Sequence, residues 1–162
     1  MLNSYPYAVT INDDGRQLIT LPQFTWAAET LPAHSDGETV HKTARQLVCS
    51  SIKVLMEERA EIPGGVKINS ESEYGYACVG WPITVKILLY REFITFEGSL
   101  NAFAKRVGIP LASLQRLLDP LHQSRWSSLE AVLKALDLRL DYEFTLLPTQ
   151  RTRPFGQNRI TT

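Results

Sequence analysis

The 162-residue chain predicts an α+β fold in two units: a sheet-and-helix unit over residues 1–80, and a helical unit over residues 81–147 that closes on a strand. A polar tail, residues 148–162, carries Arg151, Arg153 and Arg159 and is expected to be loose. Three observations carry this prediction. Tyr5, Tyr7, Val9 and Ile11 alternate with smaller residues at the strand period of two. Val40, Ala44, Leu47, Val48, Ile52, Leu55 and Met56 recur at helical spacing. Beyond Gly80-Trp-Pro82, which marks a boundary, short helical patterns separated by turn residues dominate.

In the first unit, Asn12-Asp-Asp-Gly15 supplies turn chemistry between the Tyr5–Ile11 strand and a second strand, Gln17–Leu21. A third strand is expected from Phe24 to Thr30, ahead of Pro32. Ser35-Asp-Gly-Glu38 matches a capping box that opens the amphipathic helix. His41, Lys42, Arg45, Lys53, Glu57 and Glu58 fall on its polar face, and Ile62-Pro-Gly-Gly65 is expected to stop it. Residues 73–79 add a fourth strand, giving the order β-β-β-α-β.

The run Ile83–Phe96 is β-branched enough for a strand but long enough for a helix, and the apolar set Ile83, Ile87, Leu88 and Ile94 favours the helix. Ser99 can cap a helix with Leu100, Phe103, Ala104 and Val107 inward, and Gly108-Ile-Pro110 makes the turn. The next helix buries Leu114, Leu117 and Leu118. Ser127-Ser-Leu-Glu130 matches a second capping box, before Leu129, Val132, Leu133 and Leu136. Arg139–Leu147 alternates as a strand does and has the pattern of an edge that could pair with its copy.

With 44% hydrophobic and 21% charged residues, the chain buries a core and is not a disordered polypeptide. No apolar run approaches the ~18 residues of a membrane helix, and Met-Leu-Asn-Ser-Tyr lacks the features of a signal peptide. A cytoplasmic protein with no membrane partner is therefore expected. Cys49 and Cys78 stand apart with no ligand spacing, which predicts reduced, buried thiols and no zinc site. The net charge of zero divides unevenly. Residues 1–80 hold six Lys/Arg against ten Asp/Glu, net −4, and residues 81–162 hold eleven against seven, net +4. Such an offset suits a nucleic acid on the basic half and a basic ligand or protein on the acidic half, although solvated surfaces also differ by this much.

Helix, short Gly-containing turn, helix is the pattern of a helix-turn-helix, and many helical hairpins share it. The exposed residues sharpen it. Lys105, Arg106, Ser113, Gln115, Arg116 and Arg125 form a basic, amide-bearing set suited to phosphates and base edges, and Leu111 and Ala112 could touch a thymine methyl.

Tyr5-Pro-Tyr-Ala-Val-Thr-Ile with its Asp-Asp-Gly turn, a Leu-Pro, an amphipathic helix ending in Ile-Pro, then Ala-Lys-Arg-Val-Gly-Ile and Arg-Leu-Leu-Asp-Pro, resembles the HicB antitoxins of bacterial toxin-antitoxin pairs. The resemblance covers roughly residues 5–147 and is most specific from Arg116 through Leu140. It implies a degenerate ribonuclease H-like domain that masks an mRNA-cleaving HicA-type toxin. It also implies a helix-turn-helix that represses the operon by binding operator DNA, from a homodimer or higher oligomer. The chain departs from the family at Pro110-Leu111-Ala112, where a polar Ser-Arg-Gln is usual, and at Leu100, where Gln is usual. The alternative from another class is a stand-alone helix-turn-helix regulator whose α/β half senses a ligand or dimerises.

No enzyme and no cofactor are expected. Asp13 and Asp14 sit at a hairpin tip, where they serve the turn, and the first strand carries no acid for a two-metal nuclease. His34, His41 and His122 have no partner at triad or ligand spacing, and Pro63-Gly-Gly65 is too short for a phosphate loop.

Overall fold

The computed structural model describes residues 3–69 and 72–138. The expected strand at Arg139–Leu147 and the tail at 148–162 lie outside the described residues. Among the described residues the fold is α+β: a four-stranded antiparallel sheet in the order β3-β2-β1-β4, and five helices.

The strand β1 (Ser4–Ile11) pairs with β2 (Gln17–Thr20) in the register Val9 opposite Ile19. The turn between them closes as its residues require. Gly15 takes φ 78°, which suits a residue without Cβ, and Asp14 accepts from the Arg16 amide at 3.1 Å while pairing with its guanidinium at 2.8 Å. Tyr5 and Tyr7 are buried as the alternation predicts, but the pattern frays outward and Ile11 is exposed.

The third strand differs from expectation: β3 is Ala28–Leu31, not Phe24–Thr30. Two successive turns, Phe24 N–H to Leu21 O at 3.0 Å and Ala27 N–H to Phe24 O at 2.7 Å, occupy the segment instead. They drop Phe24 into the core, 5.6 Å from the Tyr5 ring, and burial of a whole aromatic outweighs four residues of ladder. The last strand, β4 (Gly75–Cys78), runs antiparallel to β1 on its other edge, with Tyr7 opposite Gly75. The Tyr7 ring lies across Gly75 so closely that a Cβ there would overlap it.

One face of the sheet carries α1 (Gly37–Glu57), whose buried Val40, Ala44, Val48, Ile52 and Leu55 confirm the helical spacing. The Ser35–Glu38 capping box does not form. Asp36 is the N-cap and accepts from the Thr39 amide at 2.7 Å, a bond that holds its carboxyl below the ordinary value, while the Ser35 hydroxyl donates to Pro32 O. Nor does Ile62-Pro63 stop the helix. It ends at Glu58, with Arg59 left-handed at φ 55° and the bonds Arg59 N–H to Met56 O and Ala60 N–H to Leu55 O of a Schellman motif. Cys49 is buried, and burial raises its thiol pKa; Cys78 is only half-buried and lies 3.2 Å from Ser4 Oγ.

The ambiguous run is a helix, α2 (Trp81–Thr95), with Gly80 as N-cap and Pro82 in its first turn, where its missing N–H costs nothing. It is buried on several sides at once, at Val85, Lys86, Ile87, Leu89, Tyr90 and Phe93, while Ile94, expected inward, is exposed. The Tyr90 hydroxyl reaches Ala60 O at 2.8 Å, and Arg91 donates to Ile62 O at 3.2 Å, so α2 seals the chain that leaves α1. Its other side receives the three remaining helices.

Candidate functional site

The helix α3 (Leu100–Arg106) starts where Ser99 accepts from the Ala102 amide at 3.1 Å, as its sequence predicts. It ends in a Schellman motif, Ile109 N–H to Ala104 O and Gly108 N–H to Lys105 O, with Gly108 at φ 71°. The chain then turns through Pro110 into α4 (Leu111–Leu118), which buries Leu114 and Leu117 against α2 and α3. A short loop leads to α5 (Trp126–Ala135). The expected Ser127–Glu130 capping box is absent, because α5 begins two residues earlier than that box requires: Arg125 is the N-cap and Ser127 lies inside the first turn. The edge-on Trp81–Trp126 pair, ring centroids 4.0 Å apart, ties the starts of α2 and α5 together.

Seven of the eight expected interface residues lie on α3 and α4, and all eight are exposed. They do not form one patch. Ser113, Arg116 and Arg125 line an open cleft of about 520 Å³ between α4 and the start of α5. Gln115 instead lines a second cleft of about 410 Å³ on the opposite flank of α4, beside Leu118 and Asp119. Leu111 and Ala112 stand at the first turn of α4. Lys105 and Arg106 occupy the last turn of α3, where the Arg106 guanidinium stacks over the Phe96 ring at 5.5 Å.

The first cleft also gathers residues that sequence reasoning missed: His122, Gln123, Ser124, Ser127 and Ser128. Their signal in the sequence is weak, since His122 has no partner at ligand or triad spacing and Ser127 reads as a helix cap.

The loop that shapes this cleft is fixed from below. Lys86, fully buried on α2, donates to Asp119 O at 2.6 Å and His122 O at 2.5 Å. Burial pushes its ammonium down to about 8, against the raising effect of the Asp119 carboxylate. Burial raises the Asp119 carboxyl, but the Leu121 amide, Lys53 and Lys86 outweigh it and leave it below its ordinary value. Lys53 on α1 reaches Asp119 at 3.3 Å and Glu57 at 3.0 Å, which links the end of α4 to the first unit.

Among the described residues, no group of three His, Cys, Asp or Glu side chains is placed to hold a metal ion, and no helix is long and apolar enough to cross a membrane. No protein-family model matches the chain, and no curated protein matches it.

Proposed function

We propose that the chain is an antitoxin of the HicB type, which masks an mRNA-cleaving toxin with its sheet-bearing unit and represses its operon with a helix-turn-helix formed by α3 and α4. The observation that carries the reading is α4. A short helix follows a Gly108 turn, anchors itself by Leu114 and Leu117, and leaves Leu111, Ala112, Ser113 and Arg116 exposed. That is the presentation a major-groove helix needs. The order β-β-β-α-β, with α1 across one face of the sheet, supports the degenerate ribonuclease H-like assignment of the first unit. A single helix-turn-helix makes too few contacts for tight binding, so a dimer on two half-sites is part of the proposal.

The deciding experiment is co-expression with the adjoining reading frame, which the reading expects to encode a small basic protein with a lone histidine. The full chain should co-purify with that protein and relieve the growth arrest it causes. A neighbouring product that arrests growth and is never captured or neutralised removes the antitoxin reading.

The second cleft favours an alternative. It lies among α1, α2, α3 and α4, lined by Met56, Phe93, Leu100 and Leu118 together with Lys53, Glu57, Arg59 and Asp119. A stand-alone regulator would use such a place to sense a small ligand, and retained DNA binding with no toxin partner would support it.

A further inference from the structure

We infer that the cleft between α4 and α5 is a phosphate seat, which grips the sugar-phosphate backbone of the duplex that α4 enters and assigns Arg116 and Arg125 to phosphates, not to base edges. The inference rests on the DNA-binding reading and deepens it. Its basis is a convergence that no single element supplies. Arg116 comes from the α5-facing flank of α4, Arg125 from the N-cap of α5, His122 from the loop, and Ser113, Ser127 and Ser128 add hydroxyls around the same 520 Å³ space. Among the described residues, no Asp or Glu lines it. Two guanidiniums with several hydroxyls and no acid form an anion receptor, and a phosphodiester offers the matching acceptors.

Two further observations point the same way. Among the described residues, Ser124 Oγ, in the wall of this cleft, is a buried atom with no hydrogen-bond partner, and a bound acceptor would offset its burial. Arg125 caps α5 without a side-chain bond, so the first-turn Ser127 amide, which geometry leaves without an intrahelical acceptor, faces an uncapped helix start. The whole loop is held by Lys86 through the carbonyls of Asp119 and His122, so the seat is shaped before anything binds.

The test is fluorescence anisotropy of the full chain with a labelled mixed-sequence duplex of about 20 base pairs, two helical turns, across a salt series. Arg116→Gln and Arg125→Gln should each weaken binding on the order of 5- to 10-fold on every sequence alike, and each should lower the salt slope by about one unit. Ser127→Asp separates the seat from folding. A carboxylate in the first turn of α5 favours the helix and should hold or raise the melting temperature, yet it should repel phosphate and weaken binding at least as much.

If the wild-type chain binds duplex and these variants bind equally well with an unchanged slope, the seat is overturned and DNA binding stands. If Arg116→Gln alters preference at one base position with the slope intact, Arg116 reads a base and the assignment is wrong. If the wild-type chain binds no duplex at low salt, the DNA reading and the seat fall together. In that case an amide-shift titration with pyrophosphate shows whether the cleft takes a free phosphorylated ligand instead.

Discussion

At the scale of single residues, Lys86 sets charge against geometry. A buried ammonium is costly, and its two carbonyl partners repay only part of that, so the residue is better understood as a clamp on the α4–α5 loop than as a source of stability. The pH dependence has a definite sign. The unfolded chain keeps this proton up to about 10.4, whereas the folded chain releases it near 8, so the contribution of Lys86 to stability is lowest below pH 8 and recovers as pH rises towards 10. The difference in unfolding free energy between wild type and Lys86→Met should therefore change by up to about 3 kcal/mol across that window, in favour of wild type at the alkaline end. Denaturant titrations at several pH values would reveal it, and a flat difference would contradict it. Gly75 is demanding for a different reason, because its missing Cβ is where the Tyr7 ring lies. Gly75→Ala should cost about 1–3 kcal/mol by displacing that ring, measured by thermal or denaturant unfolding.

At the scale of elements, the helix ends repeat one device with different residues. α1, α3 and α5 all finish in Schellman bonds, with Arg59 at φ 55°, Gly108 at φ 71° and Asp137 at φ 55° in the left-handed position. Only glycine takes that conformation without strain. Asp137→Gly should stabilise the protein by about 0.5–1 kcal/mol, since it relieves the strain and removes an acid from the negative end of α5. Gly108→Ala should destabilise it by about 1 kcal/mol and disturb the turn into α4. Unfolding curves of both variants, compared with wild type, test the pair. The same contrast explains which helix ends were legible. Gly108 announces a stop in the sequence, while Arg59 does not, and the next stop signal is Ile62-Pro63, four residues beyond the true end at Glu58. The capping boxes misled similarly, because Ser-x-x-Glu spacing occurs at Ser35 and Ser127 while the backbone starts its helices at Gly37 and Trp126.

At the scale of the whole molecule, α2 serves both units. Its Tyr90 hydroxyl and Arg91 guanidinium reach the carbonyls of Ala60 and Ile62, and its Lys86 holds the α4–α5 loop. Lys53 adds a direct link from α1 to Asp119. A fragment of residues 1–80 loses the donors to those carbonyls and should melt below a fragment of residues 1–97. Equal melting of the two fragments would place the structural division at Gly80, where the sequence break suggests it. The proposed toxin and DNA binding would still be separable between the two units, with α2 required by both folds.

The sequence by itself determined the α+β class, the order of strands and helices over residues 4–135, the apolar faces of α1, α3, α4 and α5, and the Gly108 turn. Each of these is written in short-range periodicity or in the backbone freedom of one residue type. Tertiary structure alone decided the rest. Phe24 left its strand because a buried aromatic outweighs a few edge bonds. The sequence favours a helix over Ile83–Phe96, and α2 is one, but its packing on several sides, with Ile94 left outside, is a property that composition does not encode. Lys86 went inside because two carbonyls from residues over thirty positions away converge on it. The candidate site was legible only in part for the same reason. Exposed Arg116 and Arg125 can be picked out along the chain, but their meeting with His122, Ser127 and Ser128 around one cleft, and the separation of Gln115 from them, depend on where α4 and α5 each pack on α2.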